Sequence, residues 1–313
     1  MTGKFSYNES FTTKNVMKYF FLTVLLCLFL GVPLFAAEPF VIAVMDPLAK
    51  ELACDCVAGF AQRDYKALAD HLKKTGNPAF AEIELVFAGS LQAAIIKSSP
   101  KRVDMIIGKD SVVRHELQQA KMLATGIARL TDKKGEVTFT GLVVVAADDP
   151  TKSVADLKKH RLLLGPPDCD EKHAAAIKFF EKHGITVPKK PDIAGNCTEA
   201  GLAIIENESP QPIAAVVSDY ALVLIEGCKT IEKGALRVLD KTEPVPFIGV
   251  FVTESVDQKT SESLCNALRA GVSKDSKLLE TLESKNGFAP YSMETKNGWE
   301  LLPVMKTEGD SKN

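Results

Sequence analysis

The 313-residue sequence has no excess of positive charge: 38 lysines and arginines face 40 aspartates and glutamates, a formal charge of −2. A nucleic-acid partner needs a basic face, so that class is excluded. The sequence also lacks a glycine-rich phosphate loop, a nucleophile elbow and a zinc-hydrolase helix signature, the common marks of a catalyst. We therefore expect a protein that is not an enzyme. Aromatic residues are sparse at 7%, and the single tryptophan, Trp299, reads as a packing residue. No internal repeat or low-complexity tract is visible, and beyond residue 37 no apolar run is long enough to span a bilayer. His71, His115, His160 and His183 fall in charge-rich helical or terminal stretches and read as solvated surface.

What is present begins with residues 17–37, MKYFFLTVLLCLFLGVPLFAA, where Lys18 precedes an apolar run ending in Ala36 and Ala37. This is the pattern of a cleaved signal peptide, with Met17 as an alternative start. Cys27 lies inside the apolar core and no lipidation box closes it, so a soluble exported protein without a lipid anchor is expected, periplasmic or otherwise outside the cytoplasm. Loss of residues 1–37 removes three lysines and one glutamate, leaving 35 basic against 39 acidic residues, a charge of −4. The remaining 276 residues exceed what one core usually serves, which favours two lobes.

Apolar runs alternate with amphipathic stretches from Phe40 onward, the mark of an α/β fold. Residues 40–46, 83–89, 103–108, 161–165 and 213–219 read as strands. Ser90 is placed to cap a helix, and residues 171–184 read as a helix closed by Gly184. Residues 137–150 form a long β-branched run suited to a strand passing between lobes, and residues 237–253 read as a strand, a proline-rich turn and a returning strand. One lobe is expected from residues 38–140 and 250–305, the other from residues 141–249, with a disordered tail at 306–313.

In open parallel sheets ligands bind outside the carboxyl ends of the strands. The segments leaving those ends carry Asp46, Cys54, Asp55 and Cys56; Asp110 and Ser111; Asp168, Cys169, Asp170 and His173; Asn196, Cys197 and Thr198; and Ser218, Asp219 and Tyr220. In an exported chain Cys54, Cys56, Cys169, Cys197, Cys228 and Cys265 invite disulfides, whose pairing the sequence leaves open. Cys228 and Cys265, away from the strand ends, read as a structural pair or as buried thiols. The alternative is a soft-metal site in which Cys54, Cys56, Cys169, His173 and Cys197 converge as thiolate and imidazole ligands. Cys169 and His173, four residues apart, share a helical face if the helix already includes Cys169.

The order of residues 139–167, 216–226, 237–252 and 286–292 resembles the phosphate, phosphite and phosphonate substrate-binding proteins of ABC transporters, from about Phe40 to Tyr291. The resemblance implies a two-lobed type II periplasmic-binding fold with hinge strands between the lobes. It also implies a small-molecule ligand, such as a phosphate or phosphonate oxyanion, held between the lobes for a membrane permease. Asp110, Ser111, Ser218, Asp219 and Tyr220 sit where it places ligand-facing side chains, with Asn196 and Thr198 of similar standing. One departure stands out. Where such proteins resemble one another in a Ser/Thr-rich loop, this chain has Pro166-Pro167-Asp168-Cys169-Asp170-Glu171. Three carboxylates there repel a dianion. The second reading is therefore a periplasmic accessory protein that binds a metal or cofactor through cleft cysteines for an exported oxidoreductase. The sequence identifies no cofactor.

Overall fold

The computed structural model describes residues 38–53 and 62–291, with the backbone alone of 293–295 and 298–300. The expected signal peptide, Cys54, Asp55 and Cys56, and the expected tail lie outside the described residues. No described helix is long and apolar enough to cross a membrane.

The chain first lays down β1 (Phe40–Met45), α1 (Tyr65–Lys73), β2 (Ile83–Phe87), α2 (Leu91–Lys97), β3 (Met105–Lys109), α3 (Asp110–Ala120) and β4 (Ala124–Leu130). A short strand, β5 (Thr138–Phe139), leads into β6 (Gly141–Ala146), β7 (Arg161–Leu164), α4 (Ala174–Lys182), β8 (Asp192–Ile193), α5 (Cys197–Ile205), β9 (Ile213–Ser218), α6 (Asp219–Gly227) and β10 (Leu236–Lys241). The return runs through β11 (Val245–Pro246) to β12 (Ile248–Thr253), α7 (Gln258–Asn266), α8 (Ser276–Thr281), β13 (Phe288–Pro290), and the paired β14 (Met293–Thr295) and β15 (Gly298–Glu300).

Two large sheets result, and they define two lobes. The first has the order β13-β4-β12-β3-β1-β2, parallel through β2, β1 and β3 and antiparallel through β12, β4 and β13. The second has the order β10-β6-β9-β7-β8, with β7 parallel to both neighbours. The two crossings run side by side, because β5 pairs antiparallel with β11 through Phe139 and Val245.

Strand periodicity explains why β1 and residues 162–164 of β7 are unbroken by polar residues. Alternate side chains enter opposite faces, and both faces are covered. Phe40, Ile42 and Val44 join one cluster and Val41, Ala43 and Met45 another. In the second lobe Leu162 and Leu164 face one cluster and Leu163 the other.

Helix starts divide into two kinds. Asp64, Ser90, Asn196, Asp257 and Asp275 cap α1, α2, α5, α7 and α8, accepting from backbone N–H groups in the first turn. Lys109, His173 and Ser218, which precede α3, α4 and α6, make no such bond. Those three starts face the cleft.

Three expectations need correction. The long run at 137–150 is two strands interrupted at Thr140, where Asp219 accepts both the backbone N–H and the hydroxyl of Thr140. The helix expected from residue 171 starts at Ala174, so Cys169 lies before it, in a turn where His173 N–H donates to the Cys169 carbonyl. His160 is not solvated: its side chain is 6% exposed, and Nε2 lies 3.0 Å from Asp149.

Candidate functional site

The carboxyl ends of β3 and β9 face each other across the cleft, and residues 165–173, following β7, enter between them. Lys109 ends β3 and Ser218 ends β9, and both side chains turn to Glu171 rather than to their own helices. Lys109 Nζ lies 2.7 Å and Ser218 Oγ 2.6 Å from Glu171 Oε1. All three side chains are buried, and Glu171 is inaccessible. Such charge-assisted hydrogen bonds are the stronger kind. Burial works against the Lys109 charge, but Glu171 and Cys169 outweigh it and hold the amine above its ordinary range.

The backbone fixes Glu171 in place. Thr242 Oγ1 accepts from the Gly141 N–H at 2.9 Å and donates to the Glu171 carbonyl at 3.4 Å. A Cβ on Gly141 would stand 2.3 Å from that carbonyl oxygen, so the close approach requires glycine.

A second bridge lies nearby. Arg114 on α3 holds Asp110 Oδ1 at 2.7 Å within its own lobe and Asp170 Oδ2 at 2.8 Å across the cleft. Ser111 Oγ accepts from the Asp170 N–H at 3.3 Å. Two carboxylates of the acidic loop thus answer cations of the first lobe. The third, Asp168, stands near Glu116 of α3, whose carboxyl is pushed up by burial and then by the Asp168 charge.

Beside these bridges is a cavity of about 310 Å³, lined by Asp110, Arg114, Arg129 and Tyr291 of the first lobe and by Asp170 and Lys178 of the second. The Arg129 guanidinium sits 4.5 Å from the centre of the Tyr291 ring. Burial, then the Asp110 charge, holds the Tyr291 hydroxyl well above its ordinary range. At the crossings the Tyr220 ring stacks on Phe247 at 5.1 Å and meets Phe139 at 5.9 Å.

The expected site residues separate. Asp110, Ser111, Cys169, Asp170, Ser218 and Tyr220 come together around Lys109 and Glu171. Asp46 does not join them: Arg63 Nη1 at 2.9 Å, the Tyr65 hydroxyl and the Leu48 N–H occupy it inside the first lobe. Asp219 ties down Thr140, and Asn196 caps α5 by accepting from the Glu199 N–H at 2.8 Å. Thr198 is half-buried in the first turn of α5.

The cysteines make no disulfide among the described residues. Cys169, Cys197 and Cys265 are free thiols, so Cys265 does not pair with Cys228. No three His, Cys, Asp or Glu side chains among the described residues gather to hold a metal. The surroundings of the thiols give a reason. Lys109 adjoins Cys169, and Lys172 Nζ lies 3.6 Å from Cys197 Sγ, placing ammonium groups where a metal cation would sit. Burial raises the Cys169 thiol above its ordinary value, against the pull of both lysines. His173 spends Nδ1 on the Gly165 carbonyl at 2.8 Å.

Sequence reasoning passed over Lys109, Arg114, Arg129, Glu171, Lys172 and Tyr291 as site residues. A signal existed for Lys109. It closes a strand that is buried at every position, where a lysine requires a partner.

Two α/β lobes joined by paired crossing strands, with charged side chains converging between them, define a two-lobed solute-binding protein. The profile of the family described as ABC transporter, phosphonate, periplasmic substrate-binding protein matches residues 60–295, and the chain belongs to that family. Such proteins are non-enzymatic transporter components, and the match does not favour an accessory protein serving an oxidoreductase. No curated protein matches the chain.

Among solved structures, PhnD1 of Prochlorococcus marinus in complex with methylphosphonate is similar, with 13% identity and a TM-score of 0.57, over 81% of this chain and 93% of that one. A binding-protein component of an ABC phosphonate transporter from Pseudomonas aeruginosa has 12% identity and a TM-score of 0.56, over 81% and 82%. A Xanthomonas citri protein with bound chloride has 17% identity and a TM-score of 0.58, over 80% and 91%. At these identities the likeness is one of fold. That fold is the two-lobed type II periplasmic-binding fold.

Proposed function

We propose that this chain is an exported solute-binding protein that closes its lobes over a small polar solute and passes it to the membrane permease of an ABC transporter. The observation that supports this most is the cavity of about 310 Å³ lined from both lobes, where Arg114, Arg129 and Lys178 stand beside Asp110 and Asp170. Its volume suits a small molecule. A solute held there touches both lobes only when they are together, so its binding energy favours closure. Phosphate and phosphonates are the ligand class implied by the family and come first in any panel.

Solution scattering on the purified protein tests the reading. A solute that binds by calorimetry should reduce the radius of gyration. An unchanged profile with such a bound solute defeats the closure mechanism.

A further inference from the structure

We propose that Glu171 is a specificity-determining residue whose carboxylate occupies the oxyanion seat of the cleft, so that the wild-type protein rejects free phosphate and phosphonate there. The assignment rests on the reading of the cleft as the solute site.

The seat has the parts that an anion site needs. A buried ammonium comes from Lys109 at the end of β3, and a buried hydroxyl from Ser218 at the end of β9. These are the positions where α/β sheets gather ligands. Both donors precede helices that they leave without side-chain caps, and both point at one oxygen of Glu171, at 2.7 and 2.6 Å. An N-cap serine ordinarily serves its own helix. Here its hydroxyl serves a carboxylate 47 residues away in sequence.

The carboxylate is held in place by the chain. Thr242 and Gly141 fix the Glu171 carbonyl, so the side chain is delivered to the seat by the crossing strands. A phosphate entering the seat would compete for donors already taken and would meet like charge within hydrogen-bonding distance. The second Glu171 oxygen, Oε2, is buried and makes no hydrogen bond. A ligand reaching this point must therefore bring an N–H or O–H donor rather than another anion.

Glu171→Ala removes the carboxylate and leaves room and donors for an external anion. The melting temperature of E171A should rise by about 5 °C in millimolar inorganic phosphate relative to chloride of equal ionic strength, while the wild type stays within about 1 °C. The double variant K109M/E171A, which lacks the ammonium, should lose the phosphate response. Calorimetric titration of the wild type with phosphate and methylphosphonate should give no binding heat, a result that needs no variant to fold. Equal phosphate responses in wild type and E171A, an undiminished response in the double variant, or wild-type closure on methylphosphonate would each overturn the assignment. Wild-type closure on methylphosphonate would uphold solute capture while sinking this inference. Failure to close on any bound solute would sink capture alone.

Discussion

Two buried ion pairs of nearly identical chemistry stand at the ends of neighbouring strands. Asp46 directly follows β1 and is held by Arg63 and Tyr65; Lys109 ends β3 and is held by Glu171. Their side chains are equally buried, 3% and 0% exposed in the first pair and 6% and 0% in the second. They differ in where the partner lives. Asp46 is satisfied within its own lobe and cements it, whereas Lys109 is satisfied across the cleft and couples two bodies. Burial alone therefore does not separate a structural charge from a functional one; the location of the counter-charge does.

The largest expected effect is on the first pair. Asp46→Ala leaves Arg63 buried without its carboxylate and should cost about 3–5 kcal/mol in denaturant unfolding, because removing one partner strands the other charge. A loss under about 1 kcal/mol would erase the distinction between the pairs.

The cleft pair should behave differently when both members are replaced. Lys109→Met alone should cost about 3 kcal/mol, yet Lys109→Met/Glu171→Met should return to within about 1 kcal/mol of wild type, since a well-packed apolar pair is often neutral. If the double variant stays as unstable as the single, the pair holds the lobes themselves together.

The pH dependence should separate charges by region. The Lys109 amine is held above its ordinary value, so its contribution is complete below the unfolded lysine range and is lost only as pH rises through the higher folded value. Asp149 in the second lobe is opposed by burial, but hydrogen bonds from Thr151 and His160 outweigh it and hold the carboxyl below its ordinary value. Its contribution is complete above the unfolded aspartate range and is lost as pH falls through the lower folded value. Urea unfolding across pH should show an acid-side loss that Asp149→Asn removes and an alkaline loss that Lys109→Met removes.

The smallest effect concerns the second bridge. The Arg114 and Asp170 side chains are 41% and 33% exposed, so Asp170→Asn, which leaves Arg114 on the buried Asp110, should cost at most about 1 kcal/mol, and added salt should shrink the difference further. Unfolding at low and high ionic strength measures it.

Much of the architecture was legible because strand burial leaves a period in the sequence. Residues 40–45, 161–164 and 213–218 are fully apolar or nearly so, and both faces of those strands are covered. Ser90 was readable as a cap because capping is local. The site was legible in its elements but not in its pairings. Residues 165–173 were readable as a cleft loop, and its acidity as a departure, but the cations answering Asp170 and Glu171 lie more than fifty residues earlier, at Arg114 and Lys109. Asp46 was readable as a strand-end residue, but its partners Arg63 and Tyr65 stand 17 and 19 residues further on, beyond the reach of any local pattern. The lysines beside Cys169 and Cys197 were equally illegible, since no spacing rule announces a lysine beside a thiol. His160 looked solvated because its chain neighbours are charged, while its partner Asp149 arrives from the far side of a turn.

The strand order of the first sheet has a consequence for how the molecule is made. β12 lies between β3 and β4, although the whole second sheet separates it from β4 in the chain. Delivered from its amino terminus, the chain presents β1 to β4 first, and at that stage β3 and β4 each present an unpaired edge. The second sheet draws all its strands from one contiguous stretch and can form as soon as β10 emerges. The amino-terminal body therefore finishes last, when β12 closes the gap and β13 adds the outer edge, reversing the usual expectation that the first-made unit folds first.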